Sequence, residues 1–172
     1  TVSTEACNDY YANGKKIAEN IVEEIFEHIK EIEKESGKTF GGAHKPLLVS
    51  VRSGARVSMP GMMDTILNLG LTDTTVAALA NETGNVRFAY DCYRRFILMY
   101  TNIAKGHPRT DMDKMLEELK ETRGYKLDTE VTAEELQALV AKYKEYYKTV
   151  FGEEFPNDPR TQLIEAVTAV FR

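Results

Sequence analysis

The chain has no tryptophan, and only two cysteines and three histidines among its 172 residues. It also has no apolar run near the roughly 18 residues that a membrane span requires. Each shortage closes off a class of protein. Cys7 and Cys92 lie far apart and fit no metal or redox spacing, which argues against a disulfide scaffold or a zinc site and for free thiols in a reducing cytoplasm. His28 sits among acidic residues, His44 in a loop and His107 before Pro108. None has a partner at ligand or triad spacing, so histidine catalysis and a metal site are not expected. Positive charge is scarce as well: 22 Lys and Arg face 27 Asp and Glu, a net charge of -5. No basic stripe with interleaved aromatics appears, which argues against nucleic acid as a partner. No signal peptide is visible, and a cytoplasmic, membrane-free location is expected.

What remains is ample for a folded core, with 42% hydrophobic residues. Most of the chain reads as helix. Ser3 or Thr4 can cap a short helix through Tyr11, interrupted at Asn13-Gly14. Ile17, Ile21, Ile25, Ile29 and Ile32 recur at helical spacing, forming one apolar stripe that ends near Gly37. From Thr72 onward only helices are expected. One is capped by Asp73 and stops at Gly84. Another starts at Asn85 and carries Phe88, Cys92, Phe96, Met99 and Ile103, as far as Gly106-His107-Pro108. A third carries Met112, Met115, Leu116 and Leu119 and closes at Gly124. Thr132 with Glu135 forms a capping box before Leu136, Leu139, Val140, Tyr143 and Tyr147. Asp158-Pro159 supplies a cap and a first-turn proline for the last helix. The tyrosines on these helices read as packing residues, and Arg94 and Arg95 as salt-bridge formers.

One stretch departs from this pattern: LLVSVRSGARVSMPGMMDTILNLGL, Leu47 to Leu71. Leu47 to Val51 is a short apolar run that reads as a buried strand, and Thr65 to Leu69 can pair with it. Arg52 then stands at the carboxyl end of a strand, a common place for ligands, with the planar charged fork best suited to phosphate. Ser53, Gly54 and Ala55 are small enough for a ligand to approach the backbone. Two readings stay open on the residues alone. In one, Arg52 and Arg56 flank a surface turn while Met59, Met62 and Met63 fill a core gap. In the other, the loop receives a nucleotide, with the methionines against a flat base or on a mobile lid.

The string SVRSGARVSMPGMMDTILNLGL, Ser50 to Leu71, resembles the signature of the pyruvate phosphate dikinase family, in its N-terminal nucleotide-binding part of ATP-grasp type. The likeness extends through Val2 to Ile17, Gly84 to Tyr100 and Phe151 to Arg172. Phosphoenolpyruvate synthases carry a comparable arginine loop, but the MPGMMDT wording favours the dikinase. The resemblance implies a phosphotransferase that interconverts ATP, phosphate and pyruvate with AMP, pyrophosphate and phosphoenolpyruvate, with magnesium accompanying the nucleotide. It further implies Arg52 as the catalytic arginine on the ATP phosphates, and Gly61 and Thr65 as residues that approach the nucleotide. Arg56, Met62, Met63 and Asp64 belong to the same motif. By the same resemblance the phosphate-contacting lysine, the magnesium ligands, the phosphohistidine domain and the pyruvate barrel lie outside this chain, and the parent enzyme is a homodimer.

The expected fold is α+β and predominantly helical, with a small β element carrying the arginine loop and an inserted helical subdomain. The expected division is a mixed part over 1–71, a helical subdomain over 72–157 and a returning helix over 158–172. The chain is expected to be an inactive piece of the enzyme holding one wall of the ATP site. The alternative is a non-catalytic helical binding or interaction module with no nucleotide affinity of its own.

Overall fold

In the computed structural model, which describes residues 1–54 and 65–171, every expected helix is present, and each stop or start has a local cause. Ser3 Oγ accepts from the Ala6 amide to begin α1, Thr4–Ala12. Helix α2, Glu19–Ser36, ends on Gly37 at φ 66°, a left-handed cap that glycine adopts without penalty. Helix α3, Asp73–Thr83, is capped by Thr72 rather than Asp73. Thr72 and Thr75 exchange hydrogen bonds, and the Thr75 hydroxyl also donates to the Gly70 carbonyl at 2.7 Å. Asn85 caps α4, Val86–Met99, which runs into a π-helical turn, Tyr100–Ala104. Then come α5, Thr110–Arg123, and α6, Ala133–Phe151, the latter with the expected Thr132–Glu135 box. The last helix is α7, Pro159–Val170, whose cap Asp158 accepts from the Arg160 and Thr161 amides.

The sheet content is small. Strands β1, Thr39–Phe40, and β2, Pro46–Leu47, pair in parallel, whereas β3, Val49–Arg52, and β4, Thr65–Leu69, form an antiparallel pair. The expected continuous buried strand from Leu47 to Val51 is therefore two strands serving two different partners. The second alternates: Val49 and Val51 are half-buried, Ser50 and Arg52 exposed. An antiparallel pair with one face on the core and one in water gives that pattern.

Helix α4 packs against α3, α6 and β4, and α7 packs on both strands of the β3–β4 pair. The inward face of α4 is Ala89, Tyr93, Phe96 and Ile97, continuing to Tyr100. The apolar stripe read from the sequence was rotated from this face: Phe88 is 46% exposed, and only Phe96 of that series is fully buried. The ring face won because tyrosine carries a large apolar body that a polarity pattern does not count. Phe96, Tyr100 and Tyr147 all meet Phe155, with ring centroids 5.3 to 5.8 Å apart. On α2 the stripe is also only partly realised. Ile17 precedes the helix, Ile32 is 42% exposed, and the buried pair is Phe26 and Ile29, with the Arg160 guanidinium 3.6 Å from the Phe26 ring centre.

Gln162 on α7 is fully buried and ties three segments together. Its Oε1 accepts from the Gly70 amide at 3.0 Å, and its Nε2 donates to the Leu71 and Pro156 carbonyls at 2.8 and 2.7 Å. Nearby, Lys105 pairs with Glu153 and Glu165, each at 2.9 Å, and the Tyr100 hydroxyl donates to Glu165 at 2.6 Å. Burial alone would lower the Lys105 ammonium, but the Glu153 and Glu165 hydrogen bonds outweigh it and raise its pKa. The Lys105 hydrogen bond in turn holds Glu153 below the ordinary range.

Replacing Gln162 with Ala should destabilise the chain by about 2–4 kcal/mol, because three buried backbone groups lose their partner. Urea unfolding monitored by circular dichroism measures this, and an unchanged midpoint would refute it. Stability should also fall at both pH extremes. Burial pushes Tyr143 and Tyr147 up to about 12 from an ordinary 10, so their contribution is complete below pH 10 and disappears between 10 and about 12. Asp128, Glu153 and Asp158 are depressed, so their contribution holds above the ordinary 3.8 and 4.5 and is lost as pH falls below them. A urea midpoint independent of pH across both windows would contradict these assignments.

Candidate functional site

The antiparallel pair β3–β4 has two faces with different jobs. Val49, Val51, Ile66 and Leu69 share the core face, Ile66 and Leu69 being wholly inaccessible. Arg52, exposed, lies directly across from the half-buried Thr65 on the other face. The structure thus brings together two of the residues singled out from the sequence. Arg56, Gly61, Met62, Met63 and Asp64 lie outside the described residues.

Comparison with the other arginines sets Arg52 apart. Arg87 donates to the carbonyls of Val131 and Asp128. Arg94 is buried and pairs with Asp91 and Asp128, Arg95 with Asp91, Arg109 with Asp113, and Arg123 with Glu135. Arg160 covers the Phe26 ring. Among the described residues Arg52 alone of the arginines has neither a carboxylate, a carbonyl nor a ring to occupy it. Among the described residues nothing occupies its guanidinium, the fork whose geometry suits a planar oxyanion. Next to it, the Ser53 hydroxyl is buried with no hydrogen-bond partner among the described residues, and Gly54 offers open space where a side chain would stand. A cation, a spare hydroxyl and an accessible backbone are a chemistry suited to phosphate oxygens.

Arg94 and Arg95 do not approach this site. Their partner Asp91 and the 3₁₀ turn at Asp128–Glu130 hold them in an ion-pair cluster at the α4–α6 side, which agrees with the salt-bridge reading. His28 pairs with Glu31 on an exposed helix face. His107 has partners that the sequence did not reveal. Tyr146 donates its one hydroxyl proton to Asp111 at 2.8 Å, so His107 Nε2, 2.9 Å away, must donate to the tyrosine oxygen. Spacing in the chain gave no hint of this linkage, because its members are 35 and 39 residues from Tyr146. Among the described residues no group of His, Cys, Asp or Glu is arranged to hold a metal, and no helix is long and apolar enough to cross a membrane.

Fold and site together define a predominantly helical α+β segment with an exposed arginine at the end of a β-strand, engaged by no carboxylate, carbonyl or ring among the described residues. Residues 3–84 match the family model described as the AMP/ATP-binding domain of pyruvate phosphate dikinase. Over its whole length the chain is 54% identical to the pyruvate, phosphate dikinase of Clostridium symbiosum. Over 99% of its length it is 52% identical to the chloroplastic pyruvate, phosphate dikinase of Flaveria pringlei and 47% identical to the pyruvate, phosphate dikinase of Rhizobium meliloti. The chain belongs to the pyruvate, phosphate dikinase family. It spans 18 to 20% of the length of these relatives.

Because Arg52 is exposed and makes no ion pair, carbonyl or ring contact among the described residues, Arg52→Ala should shift unfolding stability by no more than about 0.5 kcal/mol. Urea titration of the variant checks this, and a larger loss would assign Arg52 a structural duty.

Proposed function

We propose that this chain supplies one wall of the ATP-phosphate site of a pyruvate, phosphate dikinase. In this reading the whole enzyme interconverts ATP, phosphate and pyruvate with AMP, pyrophosphate and phosphoenolpyruvate. The observation that carries it is Arg52: an arginine at the end of a strand with no ion pair, carbonyl or ring partner among the described residues, whereas the other described arginines are all engaged. Arg52 contacts the phosphate oxygens and stabilises the charge that moves between them during phosphoryl transfer. Thr65, directly across from Arg52 in the strand pair, is assigned to the same ligand. Gly61 approaches the nucleotide backbone-first, and Arg56, Met62, Met63 and Asp64 complete the loop.

Magnesium accompanies ATP in this reading, and the described residues do not form a site for it by themselves. Its ligands, a phosphohistidine domain and a pyruvate-binding barrel belong to the remainder of a cytoplasmic, homodimeric enzyme with an ATP-grasp-type nucleotide domain. We place the boundary of a helical subdomain at residues 72–157, between a mixed part at 1–71 and α7. The packing of α7 back onto β3 and β4 supports that division.

In the full enzyme, Arg52→Ala should depress the ATP half-reaction by about 10²–10³-fold while sparing exchange at the pyruvate side. Equal loss in both half-reactions, or in neither, would remove Arg52 from its assigned role. On the chain alone, Mg-ATP should give saturable amide shifts centred on Ser53, Gly61 and Thr65 that vanish in the Arg52→Ala variant. A well-folded sample without shifts would instead favour a helical module lacking nucleotide affinity.

A further inference from the structure

Strand β4 does something a regular strand cannot. Successive side chains of a strand alternate between faces, so residues three apart should lie on opposite sides. Yet Ile66 and Leu69 are both fully buried, while Leu67 between them is 45% exposed. The pairing register explains how. Val49 faces Leu69 and Val51 faces Ile66, so β4 advances three residues where β3 advances two. The extra residue is a β-bulge, and within it Asn68 adopts φ 60°, the left-handed conformation. Glycine enters that region freely and asparagine with modest cost, whereas a β-branched side chain is excluded from it by its own backbone.

We propose that Asn68 is a positioning residue for the nucleotide site: its left-handed backbone makes the bulge that puts Arg52 opposite Thr65 on the face away from the core. The inference rests on the reading of Arg52 as a phosphate contact and adds what places it. Two anchors meet at β4. Leu69, Gly70 and Leu71 are held at its end, Leu69 by burial, Gly70 by donating its amide to Gln162 Oε1 and Leu71 by accepting at its carbonyl from Gln162 Nε2. Ile66 near its start is buried opposite Val51. Without an extra residue, satisfying the Leu69 anchor would turn Ile66 to solvent and Thr65 inward. Arg52 would then lose Thr65 as its cross-strand neighbour, because a one-residue slip exchanges the two faces. The bulge satisfies both anchors and leaves the arginine and the threonine side by side. Asn68 itself touches no proposed ligand and acts through the register.

The test compares Asn68→Gly with Asn68→Val in the 172-residue chain, using cross-strand nuclear Overhauser contacts between residues 52 and 65 and amide shifts on Mg-ATP titration. Asn68→Gly, which keeps the left-handed backbone, should retain the contacts and the wild-type Mg-ATP response. Asn68→Val should lose the 52–65 contacts and drop to the Mg-ATP response of Arg52→Ala, while the amides of α6 remain dispersed. Should the valine variant fail to fold, Asn68→Ala, which carries a smaller left-handed penalty, should show a graded loss of the same contacts. Persistence of the 52–65 contacts in whichever variant folds, or their loss in Asn68→Gly, overturns the inference. A wild-type response that Arg52→Ala abolishes and Asn68→Val leaves intact overturns the role of Asn68 alone. An absent Mg-ATP response in the unsubstituted chain overturns the reading of Arg52 and, with it, the role given to Asn68.

Discussion

The fold turns on one side-chain amide. Gln162 satisfies the Gly70 amide and the Leu71 and Pro156 carbonyls at once, with no exposed surface. Those groups belong to the exit of the hairpin and the connection from α6 into α7, two segments that share no regular secondary structure with each other or with α7. Buried backbone groups outside helices and sheets need a partner, and leaving one without costs about 1–3 kcal/mol. An apolar residue at 162 would fill the volume but satisfy none of the three. Gly70 is bound to this arrangement for a second reason: it holds φ 108°, and a Cβ there would lie 3.0 Å from both the Leu47 carbonyl and the Phe40 ring. The chain at 70–71 is thus fixed from both sides, by what it accepts and by what it has no room for.

A fixed exit makes the hairpin a rigid platform. Its core face is sealed by α4 and α7, and its other face is therefore free to carry polar side chains that contribute little to stability. On that other face stands Arg52, exposed and without an ion pair, carbonyl or ring partner among the described residues. The ion-pair clusters sit elsewhere. The Arg94–Asp91–Asp128 group ties α4 to the 3₁₀ turn before α6, and the Lys105–Glu153–Glu165 group ties the end of the π-helical turn to α7 and to the segment after α6. Such pairs serve geometry more than stability.

Much of this was legible in the sequence because punctuation is local. Gly37, Gly84 and Gly124 stop helices where they were expected to, and the Thr132–Glu135 box and Asp158-Pro159 start them. The pairing of Thr65–Leu69 with the strand before Arg52 was legible for the same reason. What failed was the orientation of faces. The stripe read for α4 put Phe88 and Cys92 inward and left out Tyr93 and Tyr100, which are buried there, whereas Tyr143 and Tyr147 pack inward as expected; all four hydroxyls find an acceptor. The cap at Thr72 was missed by one residue because either side chain, Thr or Asp, can cap. The choice was made by Thr75, whose hydroxyl reaches both the Thr72 amide and the Gly70 carbonyl. The bulge at Asn68 and the role of Gln162 had no sequence signal at all. Both arise from contacts between distant segments, where a single residue type is compatible with many environments.

Magnitudes decide how far the arginine by itself can carry a nucleotide. The chain has a net charge of -5, and ATP is a polyanion, so the long-range field opposes approach. Screening confines that opposition to about 8 Å at physiological ionic strength, inside which the nearest charge dominates. One guanidinium 4 Å from a phosphate charge is worth about 1 kcal/mol in water and about 4 kcal/mol near a protein surface. A dissociation constant of 1 mM already requires about 4 kcal/mol net of the entropy lost on binding. An exposed Arg52, even with the Ser53 hydroxyl and a backbone amide to help, therefore lies at the weak edge of detectable affinity. It gains strength only as water is excluded around it, which a single wall cannot do. A site of this kind is built to be completed by a second surface across the phosphates. In the proposed reading, Arg52 supplies one half of such a cleft.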